Sequence, residues 1–155
     1  MFRGFIIVAA SAAVLTLSAT VFAQQDHGTA DEAKAMLDKA VAAVKADEAV
    51  ALAMFIKGEG GFKDRDLYVF CFRASDGKAL ASPPSVLAGT DARTLKDSTG
   101  KVYGVELYAA AQKPEGQFTQ VSYMFPRPGP NKTPVAKTSF VTRVADLGCG
   151  VGYYK

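Results

Sequence analysis

The stretch that decides the fold is Asp66-Leu-Tyr-Val-Phe-Cys-Phe-Arg-Ala-Ser-Asp-Gly77. From Leu67 to Arg73 every residue is β-branched, aromatic or otherwise suited to extended backbone, and Ser75-Asp-Gly77 closes the run with a turn. In a strand, Tyr68, Phe70 and Phe72 fall on one face and Leu67, Val69 and Cys71 on the other. Both sets are apolar, whereas an edge strand or a sheet with one wet face alternates apolar with polar residues. The stretch therefore predicts a central strand in a sheet covered on both faces.

Upstream, Thr29-Ala-Asp-Glu32 has the pattern of a capping box, and Ala33, Met36, Leu37, Ala40, Val41 and Val44 recur at helical spacing behind it. Asp47 is placed to cap a second helix, Glu48 to about Lys57, with Leu52, Phe55 and Ile56 directed at the core. Gly58-Glu-Gly-Gly61 ends it. Downstream, Lys78 to Ser82 reads as a short edge strand stopped by Pro83-Pro84, and Ser85 to Lys101 as a connection with a turn at Asp97-Ser-Thr-Gly100. Tyr103 to Gln112 has helical spacing through Val105 and Tyr108. Phe118 to Phe125 and Val135 to Val144 are strand-like runs joined by a proline-rich loop, and Leu147 to Tyr154 is the last strand. Five mostly antiparallel strands, with helices in front and in the middle, predict an α+β domain.

The 155 residues are 49% hydrophobic and 21% charged, the balance of a single compact domain. A net charge of +3, with no basic cluster interleaved with aromatics, gives nucleic-acid binding little support. Residues 1–23 read as a signal peptide: Arg3, an apolar core from Phe5 to Leu17, and Val21-Phe-Ala23 placing cleavage before Gln24. The alternative is a retained anchor, since Phe5 to Ala23 carries no charge. Residues 24–28 are expected to be a flexible terminus, with His27, the only histidine, in solvent, and 29–155 to form the domain. A periplasmic or secreted product follows from cleavage. Cys71 and Cys149, the only cysteines, are either a disulfide or two buried thiols.

No serine or cysteine has a histidine to activate it, no His/Cys/Asp/Glu group has metal spacing, and Asp64 and Asp66 read as caps or solvated turns. The expectation is a non-enzymatic domain without metal or cofactor. Gly148, Gly150 and Gly152 leave one face of the last strand bare, which predicts close approach by the N-terminal helix, with a cavity as the alternative. They stand at the end of the sequence with no following helix, so they are not a dinucleotide fingerprint.

Taken in order, Phe62-Lys-Asp-Arg-Asp-Leu-Tyr68, Ser75-Asp-Gly77, Ala81-Ser-Pro83, Gly89, Asp97-Ser-Thr-Gly-Lys101, Gly116, Tyr123-Met-Phe-Pro-Arg-Pro-Gly129, Lys137-Thr-Ser-Phe-Val141 and Gly150-Val-Gly-Tyr153 resemble the single Cache domain, type 2. The resemblance implies a PAS/profilin-like five-stranded antiparallel sheet in the order 2-1-5-4-3 with a long N-terminal helix packed on it. That order sets the first and last strands side by side, as a Cys71 to Cys149 bridge requires. It also implies an extracytoplasmic sensor that binds a small ligand, in several members a short carboxylate. Three positions depart from the family: Phe125 and Phe118 replace tryptophans and Ser82 a histidine, removing N–H donors, so the identity of the ligand does not carry over. Since the sequence closes soon after Gly150-Val-Gly-Tyr153, a sensor of this kind is expected to signal through a separate membrane receptor or kinase.

Strand alternation puts Val121, Tyr123 and Phe125 on one face, and Lys137, Ser139 and Val141 on one face of the neighbouring strand. A phenol and an ammonium over apolar walls suit a small organic acid. The candidate ligand residues are thus Tyr123, Lys137, Phe125, Phe118, Ser139, Tyr103, Arg73 and Ser82, with Tyr68 a further one for the same wall. The competing reading is a ligand-free interaction module that forms a homodimer or docks through the Thr29 to Lys57 helices.

Overall fold

The computed structural model describes residues 26–82 and 87–155, so the signal-peptide and cleavage expectations lie outside the described residues. Helix α1 (Ala30–Ala46) starts at the predicted capping box: the Thr29 side chain accepts from the Glu32 N–H while the Glu32 carboxylate accepts from the Thr29 N–H. Asp47 ends α1 and caps α2 (Glu48–Lys57), which Gly58 closes in the left-handed region. The strands are β1 (Lys63–Asp64), β2 (Leu67–Arg73), β3 (Ala79–Ala81), β4 (Thr119–Pro126), β5 (Pro134–Val144) and β6 (Leu147–Tyr154), with α3 (Tyr103–Ala111) before β4. Antiparallel pairing runs β3-β2-β6-β5-β4, and the two-residue β1 adds to β2.

Strand β2 is central and buried on both faces. Leu67, Val69 and Cys71 face α1 and α2 together with Leu147, Cys149 and Val151 of β6. Phe70 and Phe72 face α3 together with Val121, Tyr123 and Val141. Cys71 and Cys149 stand opposite each other across the β2–β6 pair and form a disulfide that closes a loop of 78 residues.

Three local expectations are corrected. Ile56 lies 48% exposed, and α2 buries Ala51 and Phe55 instead. The inner face of α3 is Tyr103, Gly104, Leu107, Ala110 and Ala111, leaving Val105 54% exposed. Nearly every residue of α3 is apolar, so periodicity alone did not fix its phase. The bare face of β6 does not meet α1: a side chain on Gly148 would meet Ala111 of α3 and Phe72, and one on Gly150 would meet Phe70. Just before α1, His27 and Gly28 meet the turn that precedes β2. The Gly28 N–H donates to Asp66 Oδ1 at 2.7 Å, and the Arg65 guanidinium donates to the His27 carbonyl at 3.0 Å.

Candidate functional site

On the face opposite α1, successive strands set their side chains in rows. Lys137 is opposite Tyr123 on one side and Tyr154 on the other, and Ser139 is opposite Val121 and Gly152. One step along the β2–β6 register sets Tyr68 beside Gly152. A side chain at Gly152 would collide with Lys137 Cε and Ser139 Oγ. The glycine therefore opens a channel across β6, and the Lys137 stem lies in it.

Through this channel Lys137 Nζ reaches the Tyr68 hydroxyl on β2, to which it donates at 2.9 Å. The ammonium also sits 4.3 Å from the Tyr68 ring centroid, 5.0 Å from Phe125 and 4.8 Å from Tyr154. Lys137 is 1% exposed, and among the described residues no carboxylate pairs with it. Burial without a paired anion lowers its pKa from the usual lysine value to about 7, only partly offset by the field of Asp66. The same burial pushes the Tyr68 and Tyr123 phenols well above the usual range, and Tyr103 up to about 12. All three phenols are therefore neutral hydroxyls at physiological pH.

Tyr123 exchanges a hydrogen bond with Ser139 Oγ at 2.8 Å and stacks on Tyr103 with ring centroids 4.0 Å apart. Asp97 fixes this stack from outside. Its carboxylate accepts from the Thr99, Lys101 and Met124 N–H groups, which holds its pKa down to about 2 and ties the loop before α3 to β4 beside Tyr123.

Between α3 and the sheet is a small cavity of about 30 Å³ lined by Tyr68, Phe70, Ser82, Tyr103, Tyr123 and Phe125. A wider cleft of about 290 Å³ shares Tyr68, Ser82 and Phe125 with it and is walled by Pro126, Arg127 and Lys132 of the proline-rich loop. Of the predicted candidates, the structure gathers Tyr123, Lys137, Phe125, Ser139, Tyr103 and Ser82, with Tyr68 on the same wall. Two lie elsewhere. Phe118 packs on the opposite face beneath Lys34 Nζ, 3.9 Å from its ring centroid, and Arg73 pairs with Asp76 at 2.8 Å in the β2–β3 turn.

Asp66 was expected in a solvated turn but is 5% exposed. Its Oδ2 lies 3.2 Å from His27 Nδ1 and 3.5 Å from Arg127 Nε without a well-formed hydrogen bond to either. His27 keeps about half its side chain in solvent (52%) but is held at this carboxylate. Asp66, Arg127, Tyr154 and Gly152 were not singled out for this site from the sequence. The only signal for Gly152 was its alternation with Gly150, and burial of Asp66 depends on a neighbour 61 residues away.

The sequence model of the Single Cache domain 2 family matches residues 10–154. No match was found among curated proteins. The structure is similar to that of a methyl-accepting chemotaxis protein from Vibrio parahaemolyticus RIMD 2210633, with a TM-score of 0.63 and 21% identity over 80% of this chain and 86% of that one. It is also similar to a periplasmic sensor domain of a chemotaxis protein, with a TM-score of 0.59 and 22% identity over 80% and 88% of the two chains. A third similar structure is of a Cache chemosensory domain, solved as a structural basis for carboxylic acid recognition, with a TM-score of 0.55 and 23% identity over 78% and 84%. At these identities the likeness is one of fold. Among the described residues, no helix is long and apolar enough to cross a membrane.

Proposed function

This chain belongs to the Single Cache domain 2 family, and from that premise we propose that it is an exported sensor domain whose cleft takes a short organic carboxylate without transforming it. The observation that carries the proposal is Lys137: a buried ammonium with no paired anion, next to the hydroxyl of Tyr68, which itself lines the cavity. Tyr68 accepts from Lys137 and shares a hydrogen bond with the Tyr154 hydroxyl; rotated from Tyr154 toward the cavity, its proton is offered to a carboxylate. The bound anion supplies the charge that Lys137 lacks. A hydrogen bond to a charged group contributes about 1.5–3 kcal/mol, and more of the Coulomb term survives in a site closed to water. Tyr103, Tyr123 and Ser82 then orient the ligand by neutral hydroxyls. A separate membrane receptor or kinase reads the occupied state.

The test is a thermal-shift titration with acetate, propionate and lactate at fixed ionic strength, on the wild type and on Lys137→Met. At 100 times the Kd a ligand stabilises its protein by about 2.7 kcal/mol, a readily measured rise in Tm. The wild type is expected to respond and the variant not. An equal response from both, or none from either, overturns the proposal. The second reading draws on Val50 and Ile56, 53% and 48% exposed on α2. Silence to every acid together with a tight dimer on sizing would favour that helix-docking module.

A further inference from the structure

The inner cavity and the outer cleft share Tyr68, Ser82 and Phe125, but they differ in charge. Among the described residues, no acidic side chain lines either one. Arg127 and Lys132 stand at the outer cleft, Lys137 lies behind the inner wall, and the carboxylate that answers them is Asp66, behind Arg127. Arg127 and Lys132 against one carboxylate leave a surplus of one positive charge at the cleft, and Lys137 adds a second where a bound anion holds its proton in place.

Arg127 is not used up by Asp66. Its Nε is buried, 3.5 Å from Asp66 Oδ2, and makes no hydrogen bond among the described residues. Its guanidinium lies over the Tyr154 ring, 5.1 Å from the centroid, and Tyr154 in turn donates to the Pro126 carbonyl at 2.9 Å. A planar guanidinium braced on an aromatic ring presents its remaining N–H groups in a fixed fork that matches a carboxylate. Lys132 is tied to the Gly129 carbonyl at 2.6 Å, which keeps its charge near the proline-rich loop. Prolines 126 and 128 wall the same cleft, so its shape is set by a stiff backbone.

Resting on the carboxylate reading above, we infer that the ligand is a dianion. One carboxylate lies in the inner cavity toward Tyr68 and Lys137, and a second anionic group lies in the outer cleft on Arg127 and Lys132. The apolar spacer between them crosses the Phe125 ring. A monocarboxylate answers only one of the two surplus charges.

The probes are four-carbon acids of matched size: butyrate with one carboxylate, succinate with two, and succinamate with the second carboxylate replaced by a neutral amide. Acetate is included as the smallest single carboxylate. Titration calorimetry at constant ionic strength on the wild type is expected to show succinate bound at least about tenfold more tightly than butyrate or succinamate, the effect of one added charge-assisted contact. In Arg127→Ala and Lys132→Ala the succinate-to-butyrate ratio is expected to fall toward one. Equal affinity for succinate, butyrate and succinamate overturns the dianion inference while leaving the carboxylate reading in place. Failure of all four acids to bind overturns the reading it rests on. The succinate and succinamate comparison decides the matter in the unmodified protein even if a variant does not fold.

Discussion

Replacing Lys137 by methionine should make the domain more stable at low pH, by a margin that shrinks as pH rises. The ammonium is 1% exposed, and burial lowers its pKa from 10.5 to about 7. Below pH 7 the lysine is protonated in both the folded and the unfolded chain, and the folded state bears the full penalty of the buried charge. Between pH 7 and 10.5 the unfolded chain holds the proton and the folded chain has released it, so wild-type stability rises with pH by about 1.4 kcal/mol per unit. Above 10.5 neither state is charged and the rise stops. The whole window corresponds to a penalty on the order of 5 kcal/mol. It is opposed in the variant by loss of the Tyr68 hydrogen bond, about 1 kcal/mol, and of the ring contacts. Methionine fills the channel over Gly152 without titrating, and groups remote from Lys137 have the same surroundings in both proteins. The difference between variant and wild type therefore isolates Lys137. Urea unfolding at pH 6, 7, 8 and 9 should show the variant ahead by its largest margin at pH 6, with the margin falling by roughly 2 kcal/mol from pH 7 to pH 9. A margin that stays flat over this range would refute the argument, because it would mean that Lys137 is solvated or already paired.

Two further outcomes follow from the same structure. Replacing Cys71 and Cys149 together by alanine releases a loop of 78 residues and should destabilise the domain by about 4–5 kcal/mol on the chain-entropy account, read from chemical unfolding beside the oxidised wild type; a loss under about 1 kcal/mol would show that the crosslink is redundant. Gly152→Ala puts a methyl group where Lys137 Cε and Ser139 Oγ now lie. It should cost about 1–3 kcal/mol in thermal or urea unfolding and abolish the response to carboxylates, whereas unchanged ligand response would show that the channel is not what positions the lysine.

Much of the fold was legible because its determinants are local. The capping box at Thr29 and Glu32, the second cap at Asp47 and the glycine after Lys57 act within one turn of backbone, so residue type and spacing suffice to place them. The alternation that brings Tyr123 and Lys137 to one face of β4 and β5 is equally local, and four of the eight candidate residues, Tyr123, Phe125, Lys137 and Ser139, gather there as a consequence. Phe118, a candidate from its place in the family pattern and not from that alternation, lies on the other face. It stands one residue out of step with Thr119, Val121 and Tyr123 and faces α1, while Val121 and Tyr123 face α3.

The sequence by itself determined that Leu67 to Arg73 would be a central strand, because two apolar faces must both be covered and only an inner strand allows it. The tertiary structure alone decided which side of β6 its glycines leave open, which face of an almost wholly apolar α3 turns inward, and that Asp66 is buried against Arg127. It also decided that Lys137 crosses a neighbouring strand to reach Tyr68. Each of these depends on contacts between segments far apart in the chain, where several arrangements satisfy local propensity equally and packing selects one.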